Sequence, residues 1–517
     1  MFRITQFISE ELGLVTTPPK TAEFMVSKIV ENYKKGQKIL DPCVGPGIFI
    51  EKLLELGIKA NDIYAYDIKP TYKKDLKRLG ISFERKDVLL SFTSDSKNQF
   101  DYIIGNPPYL NKSSEYVRRN KKELKPLYGK INAHETYSMF IVNSIWRLKE
   151  GGKMVFITSD TFLTLRSHRK LRKFILSNCK INELILAPKA LFTSQSVSTK
   201  TIILVLTKLT REKNRQNRKE NIIKIIPRLN NESEYIDPPK VKKVKQKKYH
   251  LLPFNIFCTD VEDEIIDLFE KSPKLSEFTD GYIGMHTHNN RKFIAAIEGT
   301  ELAEIFKKRN EQIKKQNRKY KIISREEFKL SQWKPYLKRG GGDQYYRPIM
   351  EALDWRESSR EVYDIPKNAP FEKEGIVISG VSSHLAARYM PSGCYWDSNK
   401  AIGFIIKDPE FSIEYVLGVL NSSLYNYLAK GIINNTSSIQ LSALKALPMI
   451  KPDKDIKELV EFWVKKILEK KKIKINYEYI KEQRQIDKTI FDFYKQQFEF
   501  SQDLKEKLNR KYAIYSN

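Results

Sequence analysis

Tyr102-Ile103-Ile104-Gly105-Asn106-Pro107-Pro108-Tyr109 reads as an apolar strand that runs into a rigid loop. Gly105 is the turn residue, and the two prolines lock φ, so little backbone freedom remains beyond the strand. The loop presents three groups together: the Asn106 side-chain oxygen, the Pro107 carbonyl and the ring of Tyr109. Two such acceptors bind both hydrogens of a planar –NH2 group, while an aromatic face stacks on the ring that carries it. The strand belongs to a series, and the series decides the fold class.

Outward from this stretch, residues 38–40 form a short apolar strand, followed by a Gly/Pro turn and a helical run at residues 49–56. Further strands are expected at residues 63–66, 100–104, 153–158, 181–186 and 201–207, with a helix at about 137–148. Strands alternating with helices predict βαβ units: an α/β fold with a mainly parallel sheet and helices on both faces. Residues 211–220 and 240–248 are strongly charged and read as a solvated linker around one surface strand at 222–226. This places a domain boundary near residue 245. The second half has Gly-rich turns and short apolar runs at 375–379 and 401–406, and it ends in charged helices. There Leu459, Phe462, Trp463 and Ile467 recur at helical spacing and are expected to pack against other helices.

A chain of 517 residues exceeds one hydrophobic core. No apolar run reaches the length of a membrane span, and the first residues do not open a signal peptide. Four scattered cysteines form neither a CxxC pattern nor a disulfide framework, which suits a reducing cytoplasm. The net charge of +29 suits a polyanion, although a lysine-rich surface also serves solubility alone.

Asp41-Pro42-Cys43-Val44-Gly45-Pro46-Gly47 follows the first strand. A Gly-x-Gly turn lets backbone approach a ligand beside a helix N-terminus. Asp67 ends the next strand, about 20 residues on, where a carboxylate accepts hydrogen bonds from ribose hydroxyls. The turn lacks a Lys-Ser/Thr ending and carries little positive charge, which favours a nucleoside ligand without phosphates, such as S-adenosylmethionine. Asp87 is placed to accept from the adenine amine of that ligand, or to cap a turn. The expected chemistry is methyl transfer to an exocyclic or amide nitrogen. Asn106 and Pro107 would hold the amine, and no metal or covalent intermediate is needed. An adenine in a duplex must be flipped out to reach such a pocket. Tyr109 offers one stacking face, and Phe192 is the candidate for the other, against the competing reading of a core phenylalanine. His286 and His288 are the closest histidine pair and read as loop residues.

With these residues in hand, the chain resembles the TaqI-type amino-group DNA adenine methyltransferases. The cofactor loop comes first, Asn106-Pro107-Pro108-Tyr109 later, and a recognition region last. Gly13-Leu14-Val15-Thr16-Thr17-Pro18-Pro19 resembles the family's N-terminal cofactor segment, which implies that Thr17 lies near the methionine part of the cofactor. The resemblance implies cofactor roles for Asp41, Gly45, Gly47, Asp67 and Asp87, and base stacking by Tyr109 and Phe192. Gly281-Tyr282-Ile283-Gly284, Lys334-Pro335-Tyr336-Leu337-Lys338, Trp396-Asp397-Ser398-Asn399-Lys400 and residues 417–427 resemble segments of TaqI-type specificity domains. The implied architecture is a Rossmann-like S-adenosylmethionine-dependent domain over 1–245. A mixed α+β DNA-recognition domain over 246–517 follows, with a helical C-terminal segment. The implied function is N6-adenine methylation of double-stranded DNA by a monomeric cytoplasmic protein. No nuclease is expected in the chain, and a separate cognate restriction endonuclease would be the partner. Four alternatives stay open on the motif alone: cytosine N4, RNA, protein glutamine, and a basic DNA-binding protein without activity. The glutamine reading arises because release-factor glutamine methyltransferases carry a similar NPPY motif.

Overall fold

The computed structural model describes residues 15–192, 200–338, 340–398, 400–434 and 437–515. Gly13, Leu14, residues 193–199 and Asn399 lie outside these residues. The chain divides into two units, Met1–Asp260 and Val261–Asn517.

In the first unit, β1 (Ile39–Asp41), β2 (Ile63–Asp67), β3 (Ser82–Arg85), β4 (Phe100–Gly105) and β5 (Leu148–Ser159) share a sheet with four later strands. These are β6 (Cys179–Leu186), β7 (Thr201–Lys208), β8 (Ile222–Ile226) and β9 (Lys242–Lys245). The spatial order is β3-β2-β1-β4-β5-β7-β6-β8-β9. Strands β3 to β5 run parallel, while β7 is antiparallel to both β5 and β6. Central residues such as Ile103, Ile104, Val155, Phe156, Ile203 and Leu204 are all buried. Consecutive buried residues point to alternate faces, so both faces are covered, as a Rossmann-like sheet requires. Helix α1 (Pro19–Val30) buries Ala22, Met25, Val26 and Ile29, one apolar stripe at helical spacing. Helix α2 (Ile48–Glu55) packs on α1, and α3 (Thr136–Arg147) packs on β5.

The strand order reverses between β1 and β4, since β2 and β3 continue to one side and β5 to the other. Crevices for ligands open at such switch points, beyond the carboxyl ends of the strands. The loops that follow β1 and β4 are therefore the ones that can build a site. They are also the two stretches that carry Asp41 to Gly47 and Asn106 to Tyr109.

The expected solvated linker is corrected. Residues 222–226 are β8, parallel to β6, with Ile223 and Ile225 fully buried. The lysine run supplies β9, antiparallel to β8 at the sheet edge. Lysines on an edge strand keep it soluble and discourage edge-to-edge pairing, so charge here marks an edge and not a linker. Residues 246–260 also belong to the first unit. Gln246 accepts from the Ile181 amide and donates to the Cys179 carbonyl, and the Phe257 amide donates to the Leu163 carbonyl. The unit division falls after Asp260, 15 residues beyond the expected boundary of 245.

Among the described residues, the second unit holds two sheets. Strands β10 (Thr279–Ile283), β15 (Gly375–Ser379), β16 (Ala387–Met390) and β18 (Ala401–Ile406) pair antiparallel in the order β10-β18-β15-β16. Strands β11 (Ile294–Ile297), β12 (Lys321–Ile323), β13 (Trp333–Leu337), β14 (Glu351–Asp354) and β17 (Tyr395–Trp396) form the second, in the order β12-β11-β14-β13-β17. The Gly281–Gly284 segment lies on β10 and just after it, against Trp396. A Cβ at Gly284 would sit 2.0 Å from the Trp396 carbonyl oxygen, so only glycine fits there. Helices α4 (Ile413–Asn421), α5 (Lys454–Ile473) and α6 (Ile480–Phe498) pack together. The buried face of α5 is Val460, Val464, Ile467 and Leu468, whereas Leu459 and Phe462 are exposed, contrary to their expected packing role. Among the described residues, no helix is long and apolar enough to cross a membrane.

Candidate active site

The β1 loop is shaped by two glycines with positive φ, Gly45 at +49° and Gly47 at +95°, the latter entering α2. Asp67, at the end of β2, holds this loop. Its carboxylate accepts the Gly45 amide and the Lys69 amide, each at 2.9 Å. Asp41 lies beneath, 1% exposed, with Oδ1 accepting the Cys43 amide at 3.1 Å. Its Oδ2 is buried and makes no hydrogen bond among the described residues. Burial, helped by the nearby Asp67 charge and opposed by the Cys43 amide, pushes the Asp41 carboxyl up to about 8. Asp41 therefore carries its proton at neutral pH. Burial and the same two carboxyls push the Cys43 thiol well up, so it is no thiolate nucleophile.

Asp87 lies just after β3. Its Oδ1 accepts the Leu89 and Leu90 amides, both at 3.1 Å, so it caps a turn. Tyr116 donates its hydroxyl to the same carboxylate, at 3.0 Å from Oδ2. Turn capping and ligand contact are compatible, because each carboxylate oxygen has two acceptor positions.

The β4 loop is held from a distance. Asn106 Nδ2 donates to the Val15 carbonyl at 2.9 Å and to Thr17 Oγ1 at 3.1 Å. These two acceptors fix which end of the amide is nitrogen. Oδ1 then accepts the Tyr109 hydroxyl at 2.8 Å, with one of its two acceptor positions left open. On the other flank, Thr136 at the start of α3 clamps the loop. Its hydroxyl donates to the Pro108 carbonyl and accepts the Leu110 amide at 3.0 Å, and its own amide donates to the Leu110 carbonyl at 2.9 Å. Of the two proline carbonyls, Pro108's is engaged. No hydrogen bond reaches that of Pro107 among the described residues.

The Tyr109 ring meets Tyr137 edge-on at 6.5 Å between centroids. Behind it, the Tyr137 hydroxyl lies 2.7 Å from Nε2 of the buried His168 and 2.9 Å from Thr161 Oγ1. His168 in turn pairs with Glu135 at 2.5 Å. Thr136, Tyr116 and the Glu135–His168 pair escaped the sequence reading, because each is recognisable only once its distant partner is placed.

Gly45, Asp67, Asp87, Asn106 and Pro108 line one cavity of 230 Å³. That is just below the usual range of about 300–1,000 Å³ for small-molecule sites. Lys69 and Lys86, which the sequence reading did not single out, line it too. Thr17, Asp41, Gly47, Pro107 and Tyr109 do not line it. Phe192 is 2% exposed and packs in the hydrophobic core with Ile185 and Ile203, as the competing reading of a core phenylalanine expects.

Fold and site together define a Rossmann-like α/β domain of the methyltransferase type, followed by a separate mixed domain. Residues 48–192 match the family described as Eco57I restriction-modification methylase, and residues 311–449 match the TaqI-like C-terminal specificity domain. Over these two segments the chain is similar to an Eco57I-type restriction-modification methylase and to a TaqI-like specificity domain.

Among curated proteins, it is 32% identical over 180 residues to the Type II methyltransferase M.HincII of Haemophilus influenzae, covering 34% of this chain and 33% of that one. It is 31% identical over 179 residues to the Type II methyltransferase M.TthHB8I of Thermus thermophilus, covering 32% and 38%. These matches span little more than a third of the relatives' own length. Among solved structures, the Type IIL restriction-modification enzyme MmeI in complex with DNA matches in fold with a TM-score of 0.53 at 12% identity, covering 96% of this chain and 74% of that one. The DrdV–DNA complex matches with a TM-score of 0.51 at 14% identity, covering 89% and 57%.

Proposed function

We propose that the chain is a site-specific DNA methyltransferase that moves a methyl group from S-adenosylmethionine to the N6 amine of an adenine flipped out of duplex DNA. The observation that carries this reading is the fixed amide of Asn106. Its NH2 end is spent on Val15 and Thr17, so Oδ1 is presented as an acceptor beside a cavity that Asp67 and Asp87 also line. The residues present suit the cofactor. Asp67 and Asp87, which line the cavity, offer acceptors for ribose hydroxyls and an adenine amine.

When bound, S-adenosylmethionine supplies an electrophilic methyl group on sulfur. The chain's own work is to hold and polarise the amine. The amine of adenine is a poor nucleophile because its lone pair is delocalised into the ring. Asn106 Oδ1 and the Pro107 carbonyl accept its two hydrogens. Those bonds improve as the nitrogen becomes tetrahedral, so they favour the transition state over the ground state. Fixed dipoles do this best when they need not reorganise, and the clamp of Thr136 on Pro108 and Leu110 provides that rigidity. Tyr109 stacks on the flipped base, worth about 1–3 kcal/mol, against a few kcal/mol for extrusion. The second unit would read the sequence of the duplex, and the net charge of +29 would supply phosphate affinity that falls steeply with salt. A separate restriction endonuclease of the same specificity is the fitting partner, with the chain acting as a monomer in the cytoplasm.

The test is transfer of a labelled methyl group to duplex DNA, followed by digestion to nucleosides and mass spectrometry. The expected product is N6-methyladenosine as its deoxynucleoside. Label on cytosine N4, on RNA alone or on a protein glutamine would refute the assignment.

A further inference from the structure

Among the chain's six histidines, two are separated by a single residue, His286-Thr287-His288, in the loop after β10. Burial alternates along this loop. Met285 and Thr287 point inward, at 0% and 1% exposure, and the two histidines point outward. The imidazoles meet edge-on, 4.6 Å between centroids. Across from them is Asp364, from a different stretch of the chain. His288 Nε2 lies 2.8 Å from Asp364 Oδ2, and one donor atom from each of the three side chains lies within 4.8 Å of the others.

The backbone beneath is pinned. His286 and Asp364 form an antiparallel bridge in which the His286 amide donates to the Asp364 carbonyl at 3.0 Å and the Asp364 amide returns the bond at 2.9 Å. On the other side, Met285 donates to the Trp396 carbonyl at 2.9 Å and accepts the Ser398 amide at 3.0 Å. His288 holds a left-handed φ of +57°, a conformation uncommon outside glycine in which Asn, Asp and His are the enriched residues. A simple ion pair accounts for His288 and Asp364. It leaves the His286 ring turned to the same point with no hydrogen bond among the described residues.

We propose that His286, His288 and Asp364 form a binding site for a divalent transition-metal ion, Zn2+ by chemical class, in the second unit. Two imidazoles and one carboxylate are the donors such ions prefer over alkaline-earth cations. Around an ion bound at about 2.0–2.2 Å, tetrahedral donors stand about 3.3 Å apart. Binding would draw the three donors, now within 4.8 Å of one another, closer together above the bridged backbone. The fourth position is open to water. The ion would clip the loop after β10 to the segment that precedes β15, and it stands apart from the methyl-transfer reading.

The experiment uses the full chain, stripped with chelator, titrated with ZnCl2 by calorimetry and with CoCl2 by visible absorption. The expected result is one saturable Zn2+ per chain, the strong visible bands of four-coordinate cobalt, and a higher melting temperature in Zn2+ than in chelator. His286→Ala, His288→Ala and Asp364→Asn should each weaken binding by at least about tenfold, since even the loss of an outer partner costs that much. Asp364→Asn keeps the backbone bridge, so its loss of affinity reports the ligand and not the fold. Absence of saturable uptake by the unaltered chain would overturn the site. So would uptake that is unchanged in the His286→Ala/His288→Ala double variant.

Discussion

The β1 and β4 loops contribute to the same cavity but are held in opposite ways. Around the β1 loop, Asp67 binds amides at Gly45 and Lys69, and Asp41 binds the amide of Cys43. Asp41 stands at the start of this loop, and Asp67 reaches Gly45 from the adjacent strand β2, 22 residues on. The β4 loop owes its shape to Val15 and Thr17 before it and to Thr136 after it, across separations of 91, 89 and 28 residues. A loop tied to the adjacent strand of its own sheet tolerates change elsewhere. A loop fixed from afar transmits it, and this is where single substitutions should damage catalysis without touching a ligand.

The largest expected effect belongs to neither loop. Phe192→Ala empties a core position and should cost about 3–5 kcal/mol of stability, read by denaturant unfolding. If stability were unchanged while 2-aminopurine fluorescence at the target base dropped, Phe192 would be a stacking residue after all. Asn106→Ala removes the presented acceptor and should lower kcat by about 10²–10³-fold, with DNA affinity in gel shift nearly unchanged. Retained turnover would refute its role. Thr136→Val keeps the shape but loses both bonds of the hydroxyl. We expect a fall in kcat of up to about 10²-fold from loop misplacement, with only about 1 kcal/mol lost in stability. A fall in stability with kcat intact would remove the contrast between the two loops.

The smallest effect concerns Asp41. Folded Asp41 keeps its proton up to about pH 8, whereas a free aspartic carboxyl loses it near 3.8. Between these values the folded state binds more protons than the unfolded, so this group lowers stability as pH rises. Asp41→Asn cannot ionise and should flatten that slope, leaving the variant relatively more stable on the alkaline side. Parallel melting curves from pH 5 to 9, as roughly chosen to bracket the window, would test it.

The same division explains what the sequence could and could not tell. The alternation of apolar runs at 38–40, 63–66, 100–104 and 153–158 disclosed β1, β2, β4 and β5, because parallel strands covered on both faces leave a continuous apolar signature. The glycine turn and Asp67 were legible because a Gly-x-Gly turn after one strand and an acidic residue about 20 residues on, ending the next, form a recognisable pattern. Thr136 and Tyr116 were not, because a hydroxyl acquires meaning only from the carbonyl or carboxylate that the fold brings to it. The charged stretch around 240–248 misled for a different reason. Lysines on an edge strand and lysines in a linker look alike until the neighbouring strand is known. On α5, apolar residues at helical spacing marked two faces, and spacing alone did not say which one is buried.

The central claim is that Asn106 presents its oxygen to the amine of an adenine in duplex DNA. It is tested most directly by long-read sequencing of native DNA from a host expressing the chain, beside a host expressing Asn106→Ala. The account predicts N6-methyladenine in one recurring sequence context for the unaltered chain and none for the variant. Modified cytosines, or equal adenine methylation in both hosts, would contradict it.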